Sequence, residues 1–253
     1  MNEDWLRPDW ALDHVLAFMT TRAGGVSQGA HASMNLGRAV QDDPAAVAEN
    51  RAILARALGA PTAFMPQVHG TDVLVLRPEH TVPGADMPKA DASVSTLRGV
   101  GVAIQVADCL PVLFAAPGGV AGAHAGWRGL AAGVLENTVA VLCREAGCQP
   151  SEVHAWMGAC IGPQVFEVGA DVLQAFGRDA VLHDAEFFRY QPNAAGEPRW
   201  RADLVGLARE RLQRLGLASI GGGEWCTLSE PSRFFSYRHE PLAGRMAAAI
   251  VLR

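Results

Sequence analysis

The sequence predicts an α+β fold, a layered sandwich rather than a doubly wound sheet, and three observations carry that expectation. Strand-like and helix-like segments are interleaved, but many of the strands follow one another with no helix between them. The chain has 253 residues, 49% of them hydrophobic, enough for one large or two small globular domains. No Ser-rich or Pro-rich linker divides it, and no repeat or low-complexity tract interrupts it.

The elements follow in order. Residues 14–19 (HVLAFM) read as a buried strand that runs into a turn-rich segment from Thr20 to Gly37. Asp43-Pro44 opens a helix through about residue 58, with Asp43 as N-cap and Pro44 at the first helical position. Val47, Ile53, Leu54 and Leu58 roughly fit one helical face. Short strands at 63–68 and 72–76 flank His69-Gly70. Strands at 92–95 (ASVS) and 101–106 (GVAIQV) come next, the second leading directly into Asp108-Cys109. An apolar pair, 111–115 and 119–124, surrounds the turn signal Pro117-Gly118-Gly119.

From Gly129 to about Ala146 the pattern is helical. A strand at 153–158, a helix at 169–176 and a strongly amphipathic helix at 202–215 follow. Gly221-Gly222-Gly223 reads as a flexible turn without chemistry. The aromatic cluster Phe234-Phe235-Ser236-Tyr237-Arg238 reads either as core packing of a late strand or as part of a site. Residues 246–252 (MAAAIVL) form a final buried strand.

Composition excludes several function classes. Charged residues make up 19% and the net charge is −5, so there is no basic footprint for nucleic acid. The start, MNEDWLRPDW, lacks the basic and then apolar layout of a secretion signal. The most apolar stretch, Val100 to Val120, is broken by Asp108, Pro111, Pro117 and glycines, a poor membrane span. Five cysteines, Cys109, Cys143, Cys148, Cys160 and Cys226, are odd in number and show no regular framework. A reduced cytoplasmic protein is the simplest reading.

Three residues carry most of the chemistry. His69 sits in QVHG, Cys109 in VADCLPV and His124 in GAHAGWRG, each at the end of an apolar strand. One Cys and two His are ligand types that zinc takes when a fourth position stays open for water or substrate. Taken singly, a lone cysteine is a small hydrophobe, and either histidine could be an ordinary core or turn residue. Asp108 beside Cys109 argues against an inert position, because a carboxylate there needs a partner or solvent. In the glycine-dotted loop, Arg22, Ser33 and Asn35 could bind an anion or sugar, or simply close a surface loop. Trp127-Arg128 combines an aromatic face with a fixed cation able to grip a phosphate or carboxylate.

Together these motifs resemble the YfiH family, long labelled laccase-domain or polyphenol oxidase proteins and later linked to purine nucleoside phosphorolysis. The matching pieces run in family order: TTRAGGVS, SMNLG, VQDDPAAVAENR, QVHG, KADASVS, VADCLPV, GAHAGWRGL, IGPQVFEVG and RFFSYR. The resemblance implies one compact domain over 1–253, a β-sandwich flanked by helices in α-β-β-α order. It implies that His69, Cys109 and His124 are the metal-binding and catalytic trio, holding Zn²⁺, with copper as the other candidate ion. Arg22 and Asn35 fall in the family's loop near the active site, and Arg128 is a further substrate-binding candidate. Departures lie outside the trio: Gln41 in VQDDP, His239 after FFSYR, Ala243-Gly244-Arg245 for Thr-Gly-Arg, and the insertion-like Ile220 to Glu224.

The implied activity is zinc-dependent phosphorolysis of adenosine, inosine or S-methyl-5′-thioadenosine, with adenosine deaminase activity beside it. The partners are then a nucleoside and phosphate, with no nucleic acid and no membrane; the oligomeric state is not readable. The older label implies a copper polyphenol oxidase. A multicopper centre needs closely paired histidines, whereas the nearest two of the eight here, His69 and His80, are eleven residues apart. A third reading makes Cys109 a nucleophile with His124 as base, a cysteine hydrolase or amidase acting in cell-wall precursor editing.

Overall fold

Alternating apolar faces along the strands decide how the layers stack. The computed structural model describes residues 2–180 and 182–253. β1 (Val15–Met19) precedes the glycine-dotted loop, which leads to α1 (Pro44–Leu58). The Asp43 side chain accepts the Ala45 amide, and Gly59 ends the helix in the left-handed region at φ 74°. β2 (Thr62–Phe64), β3 (Val73–Val75), β4 (Ala92–Ser95) and β5 (Gly101–Val106) follow, then the hairpin of β6 (Leu110–Ala116) and β7 (Gly119–Ala125). α2 (Trp127–Ala132) and α3 (Val134–Ala146) come next, then β8 (His154–Met157), β9 (Glu167–Val168) and α4 (Ala170–Ala175). β10 (Phe188–Tyr190), β11 (Trp200–Ala202), α5 (Leu204–Arg214), β12 (Ser219–Gly222) and β13 (Met246–Leu252) complete the chain.

Two sheets stack face to face. One has the order β1-β13-β5-β2, the other β12-β8-β6-β7-β4-β3. A small third sheet, β10-β11-β9, lies beside them. Ile104, Ala248 and Ile250 of the first sheet pack against Leu113, Ala115, Val120 and Trp156 of the second. On the outer side of the first sheet, Phe18, Ala247 and Ala249 meet Leu54 and Leu58 of α1. On the outer side of the second, Val112, Phe114 and Ala123 meet Leu135, Val139 and Leu142 of α3 and Leu207 of α5. The layers therefore run helix, sheet, sheet, helix: the layered sandwich the elements predict, in the α-β-β-α order the family resemblance implies. The two sheets approach closely at Gly122, where a Cβ would fall 2.7 Å from Ile104. Each large apolar side chain sealed between layers contributes roughly 1.5–3 kcal/mol.

Several expectations need correction. The strand expected at 63–68 stops at Phe64, because Pro66 cannot donate to a ladder and the chain turns toward the site. The helical stretch from Gly129 to Ala146 is two helices, broken at Gly133, whose φ of 100° only glycine adopts freely. The glycine run at 221–223 is not a free turn: Ser219–Gly222 pairs in parallel with β8, Gly221 opposite Trp156. Phe234 to Arg238 form no strand, although Phe234 and Phe235 are buried. Among the described residues, no helix is long and apolar enough to cross a membrane.

Candidate functional site

The three candidate ligands arrive from three backbone devices. His69 sits on the turn between β2 and β3 in the left-handed region, at φ 62°. That turn closes around a buried carboxylate: Asp91 accepts the amides of Val68 (3.1 Å), His69 (2.8 Å) and Gly70 (2.7 Å). Cys109 lies where the chain crosses from β5 in one sheet to β6 in the other. The preceding Asp108, at φ 95°, bends the chain there. Its carboxylate accepts the hydroxyls of Thr227 (2.6 Å) and Ser236 (3.0 Å) and the amide of Arg238 (2.8 Å). His124 is on β7, directly opposite Pro111, one residue pair from the start of β6. Its Nδ1 lies 2.8 Å from Asp91 Oδ1, which assigns the proton to Nδ1 and leaves Nε2 as the free donor.

One ligand atom from each of the trio lies within 4.8 Å of the others. Cys109 Sγ is 3.7 Å from His69 Nε2, and the two imidazoles meet edge to face at 4.8 Å. His124 is buried, Cys109 half-buried and His69 exposed, so the cluster opens toward solvent on the His69 side. The glycines of HAGWRG make room for it. A Cβ on Gly126 would lie 2.8 Å from the His69 ring and 3.0 Å from Cys109 Sγ, and one on Gly129 2.7 Å from the Gly70 carbonyl.

Burial alone would raise the Cys109 pKa, but the neighbouring His124 and His69 outweigh it and bring the thiol down to about 6. Burial likewise opposes charge on His124, yet Cys109 and Asp91 lift it to about 9. Without a metal, the pair is therefore a thiolate beside an imidazolium. Asp91 is itself buried, and hydrogen bonds from His124, Gly70 and Val68 hold it ionised below the usual carboxylate range. A thiolate and two imidazoles in one coordination sphere, with a carboxylate behind one of them, fit a zinc site with an open position. The same donors can take one copper. Among the described residues this is the one such group, a set for a single ion.

The trio opens into a cleft of about 980 Å³. Five arginines line it, Arg38, Arg51, Arg128, Arg238 and Arg245. Aromatic faces line it too: Phe64 carries Arg51 at 3.9 Å, and Trp127 carries Arg128 at 4.2 Å.

Of the sequence-derived candidates, Arg128 reaches this cleft, whereas Arg22 and Asn35 are absent from its lining. Arg22 donates to the Ala32 and Pro231 carbonyls and stacks on Phe235 at 4.8 Å. Asn35 is fully buried; its Oδ1 accepts the amides of Gly37 and Arg245, and its Nδ2 donates to Asp42. Sequence reasoning missed Asp91, although KADASVS contains it, and it missed Arg38, Arg51 and Arg245. No local spacing signals that these distant residues converge.

Residues 16–253 match the family model described as multi-copper polyphenol oxidoreductase laccase. The chain belongs to this family. Among its relatives, the purine nucleoside phosphorylase PA4543 of Pseudomonas aeruginosa is 44% identical over 252 residues, covering 98% of each chain. The purine nucleoside phosphorylase YfiH of Escherichia coli is 44% identical over 250 residues, 97% of each. The crystal structure of Neisseria meningitidis protein NMB0706 superimposes with a TM-score of 0.85 at 42% identity, covering 99% of each chain. That of YlmD from Geobacillus stearothermophilus gives 0.86 at 31% identity, covering 98% of this chain and 96% of that one. Family members thus carry both an oxidoreductase label and a phosphorylase name.

Proposed function

We propose that this protein is a zinc-dependent purine nucleoside phosphorylase. It would split adenosine, inosine or S-methyl-5′-thioadenosine with phosphate into free base and the ribose 1-phosphate, and would deaminate adenosine in the same cleft. One observation carries the reading: the Cys-His-His trio opens into a cleft large enough for a nucleoside and rich in arginine, in a chain whose relatives are named purine nucleoside phosphorylases. The whole chain, 1–253, is taken as one catalytic unit. Its five free thiols favour a reducing compartment, the cytoplasm.

When bound, zinc supplies Lewis acidity and a water of lowered pKa. His69, Cys109 and His124 would hold it. Asp91 fixes the His124 ring with Nδ1 protonated and, through three amides, the turn that carries His69. Cleft arginines orient a phosphate oxyanion against the anomeric carbon and offset its charge. The aromatic faces give the purine a stacking surface. In phosphorolysis a phosphate oxygen bonds to the anomeric carbon as the glycosidic bond breaks, and the base leaves with the bonding pair and gains a proton. In deamination water adds at the purine C6 and ammonia leaves. The test is metal content beside adenosine cleavage with and without phosphate; no ribose 1-phosphate from zinc-loaded protein with any of the three nucleosides contradicts the reading.

A second reading rests on Asp91 holding His124 at 2.8 Å with Cys109 Sγ within 4.8 Å of that ring's ligand atom, a grouping from which a cysteine hydrolase can activate its nucleophile. Activity that survives chelation would favour it. For the oxidase reading, bound copper with oxygen consumption is the corresponding result.

A further inference from the structure

The short segment Asn35-Leu36-Gly37-Arg38 assembles three arginines on one wall of the cleft. Arg38 belongs to it. Arg51, from α1, donates through Nε (3.0 Å) and Nη2 (2.8 Å) to the Leu36 carbonyl. The backbone of Arg245 brackets the same residues: its carbonyl accepts the Leu36 amide at 2.9 Å, and its amide donates to Asn35 Oδ1 at 2.8 Å. Gly37 lets Arg245 come this close, since a Cβ there would fall 2.6 Å from Arg245 Cγ. Asn35 does not face the cleft; it ties down the strand end from which Arg245 projects.

Among the described residues, no carboxylate pairs directly with these three cations, although Asp108 lies near enough to favour the charge on Arg245. Of the carboxylates in the lining, Asp108 is engaged by Thr227, Ser236 and the Arg238 amide, and Asp86 makes no ion pair. Donors remain free: Nη1 of Arg51, Nε and Nη2 of Arg245, and the whole guanidinium of Arg38 have no hydrogen-bond partner among the described residues. Burial and the charge of Arg38 push the Arg51 pKa down to about 10, the mark of like charges held together in a partly dry wall. The other two cleft arginines differ. Arg238 donates to the Glu167 carbonyl, and Arg128 lies over Trp127.

We propose that Arg38, Arg51 and Arg245 form an oxyanion subsite for a phosphate group, that of inorganic phosphate or of a nucleotide. Planar guanidinium forks suit phosphate oxygens, and a doubly charged anion removes the mutual repulsion of the three cations. Taking inorganic phosphate as co-substrate rests on the phosphorylase reading; the subsite itself does not.

The experiment titrates inorganic phosphate into zinc-loaded protein by calorimetry, for wild type, Arg38→Gln and Arg245→Gln. Arg56→Gln, on the exposed face of α1 and outside the cleft, controls for the change in net charge. Losing one charge-assisted contact should weaken phosphate binding about tenfold or more, with Arg56→Gln within about twofold of wild type. Adenosine 5′-monophosphate forms the second arm. If the group recognised is a nucleotide's, the monophosphate binds more tightly than adenosine and loses that advantage in Arg38→Gln; if it is inorganic phosphate, adenosine and its monophosphate bind alike. Because Arg38 is exposed, an unchanged melting temperature verifies the fold. Phosphate affinity unchanged in both cleft variants, or lowered equally in Arg56→Gln, overturns the subsite. Phosphate binding that depends on these arginines without any ribose 1-phosphate formation leaves the subsite standing and removes the phosphorylase reading. Phosphorolysis whose phosphate KM ignores both substitutions removes the subsite alone.

Discussion

Asp91 and His124 are joined by a 2.8 Å contact from Nδ1 to Oδ1, and the same carboxylate oxygen accepts the His69 amide at 2.8 Å. One buried side chain thus sets the ring of one candidate ligand and the backbone of another. Asp91→Asn keeps the shape but removes the charge and an acceptor. Loss of such an outer partner typically costs about 10–100-fold in metal affinity. Competition with a chromophoric chelator should show that loss for zinc, while circular dichroism stays unchanged. Wild-type affinity in this variant would mean that Asp91 only closes a turn.

The titration of the metal-free site gives a signed pH prediction. Cys109 has its pKa lowered to about 6, so the stabilisation it gives is full above the ordinary thiol range and is lost as pH falls through about 6. His124 is raised to about 9, so its share is full below the ordinary imidazole range and is lost as pH rises through about 9. Between those values the thiolate–imidazolium pair is intact. Alkylation of Cys109 by iodoacetamide should therefore reach half its maximal rate near pH 6 in stripped protein. A midpoint near that of an ordinary thiol contradicts the pairing, and added zinc should protect the residue.

Asp108 holds the crossover between the sheets by binding Thr227, Ser236 and the Arg238 amide, residues more than a hundred positions away. Asp108→Ala leaves two buried hydroxyls and an amide without their acceptor. Unsatisfied groups of this kind cost about 1–3 kcal/mol each, and partial solvation keeps the total at roughly 3 kcal/mol. A chemical-denaturation midpoint lowered accordingly, with weakened metal binding, is expected. Unchanged stability would show that the late loop is anchored elsewhere.

The layers were legible in the sequence for local reasons. Period-two apolar runs such as GVAIQV mark buried strands, and Asp43-Pro44 marks a helix start; both appear where their chemistry places them. His69, Cys109 and His124 are ligand types, but each is weak alone; the ordered motifs and the family resemblance joined them, and the fold brings their ligand atoms within 4.8 Å. Non-local partnerships left no such mark. Gly221 reads as a turn until β8 is beside it to pair with. Asn35 reads as a ligand contact because its polar side chain sits in a glycine-dotted loop, yet its partners Asp42 and Arg245 engage it fully. Arg51 looks like one more cation on an exposed helix, and only the folded chain sets it over Phe64 and beside Leu36.

The central claim is a zinc site that supports phosphorolysis, and one paired assay tests it most directly. Zinc-loaded wild type and Cys109→Ala are incubated with adenosine, with and without phosphate, and ribose 1-phosphate, adenine and inosine are quantified beside bound metal. The account predicts close to one zinc per chain and phosphate-dependent adenine with ribose 1-phosphate in wild type. It predicts loss of both metal and product in Cys109→Ala. Zinc-loaded protein that forms no ribose 1-phosphate from adenosine, inosine or S-methyl-5′-thioadenosine, or a Cys109→Ala variant that keeps full phosphorolysis, would contradict it.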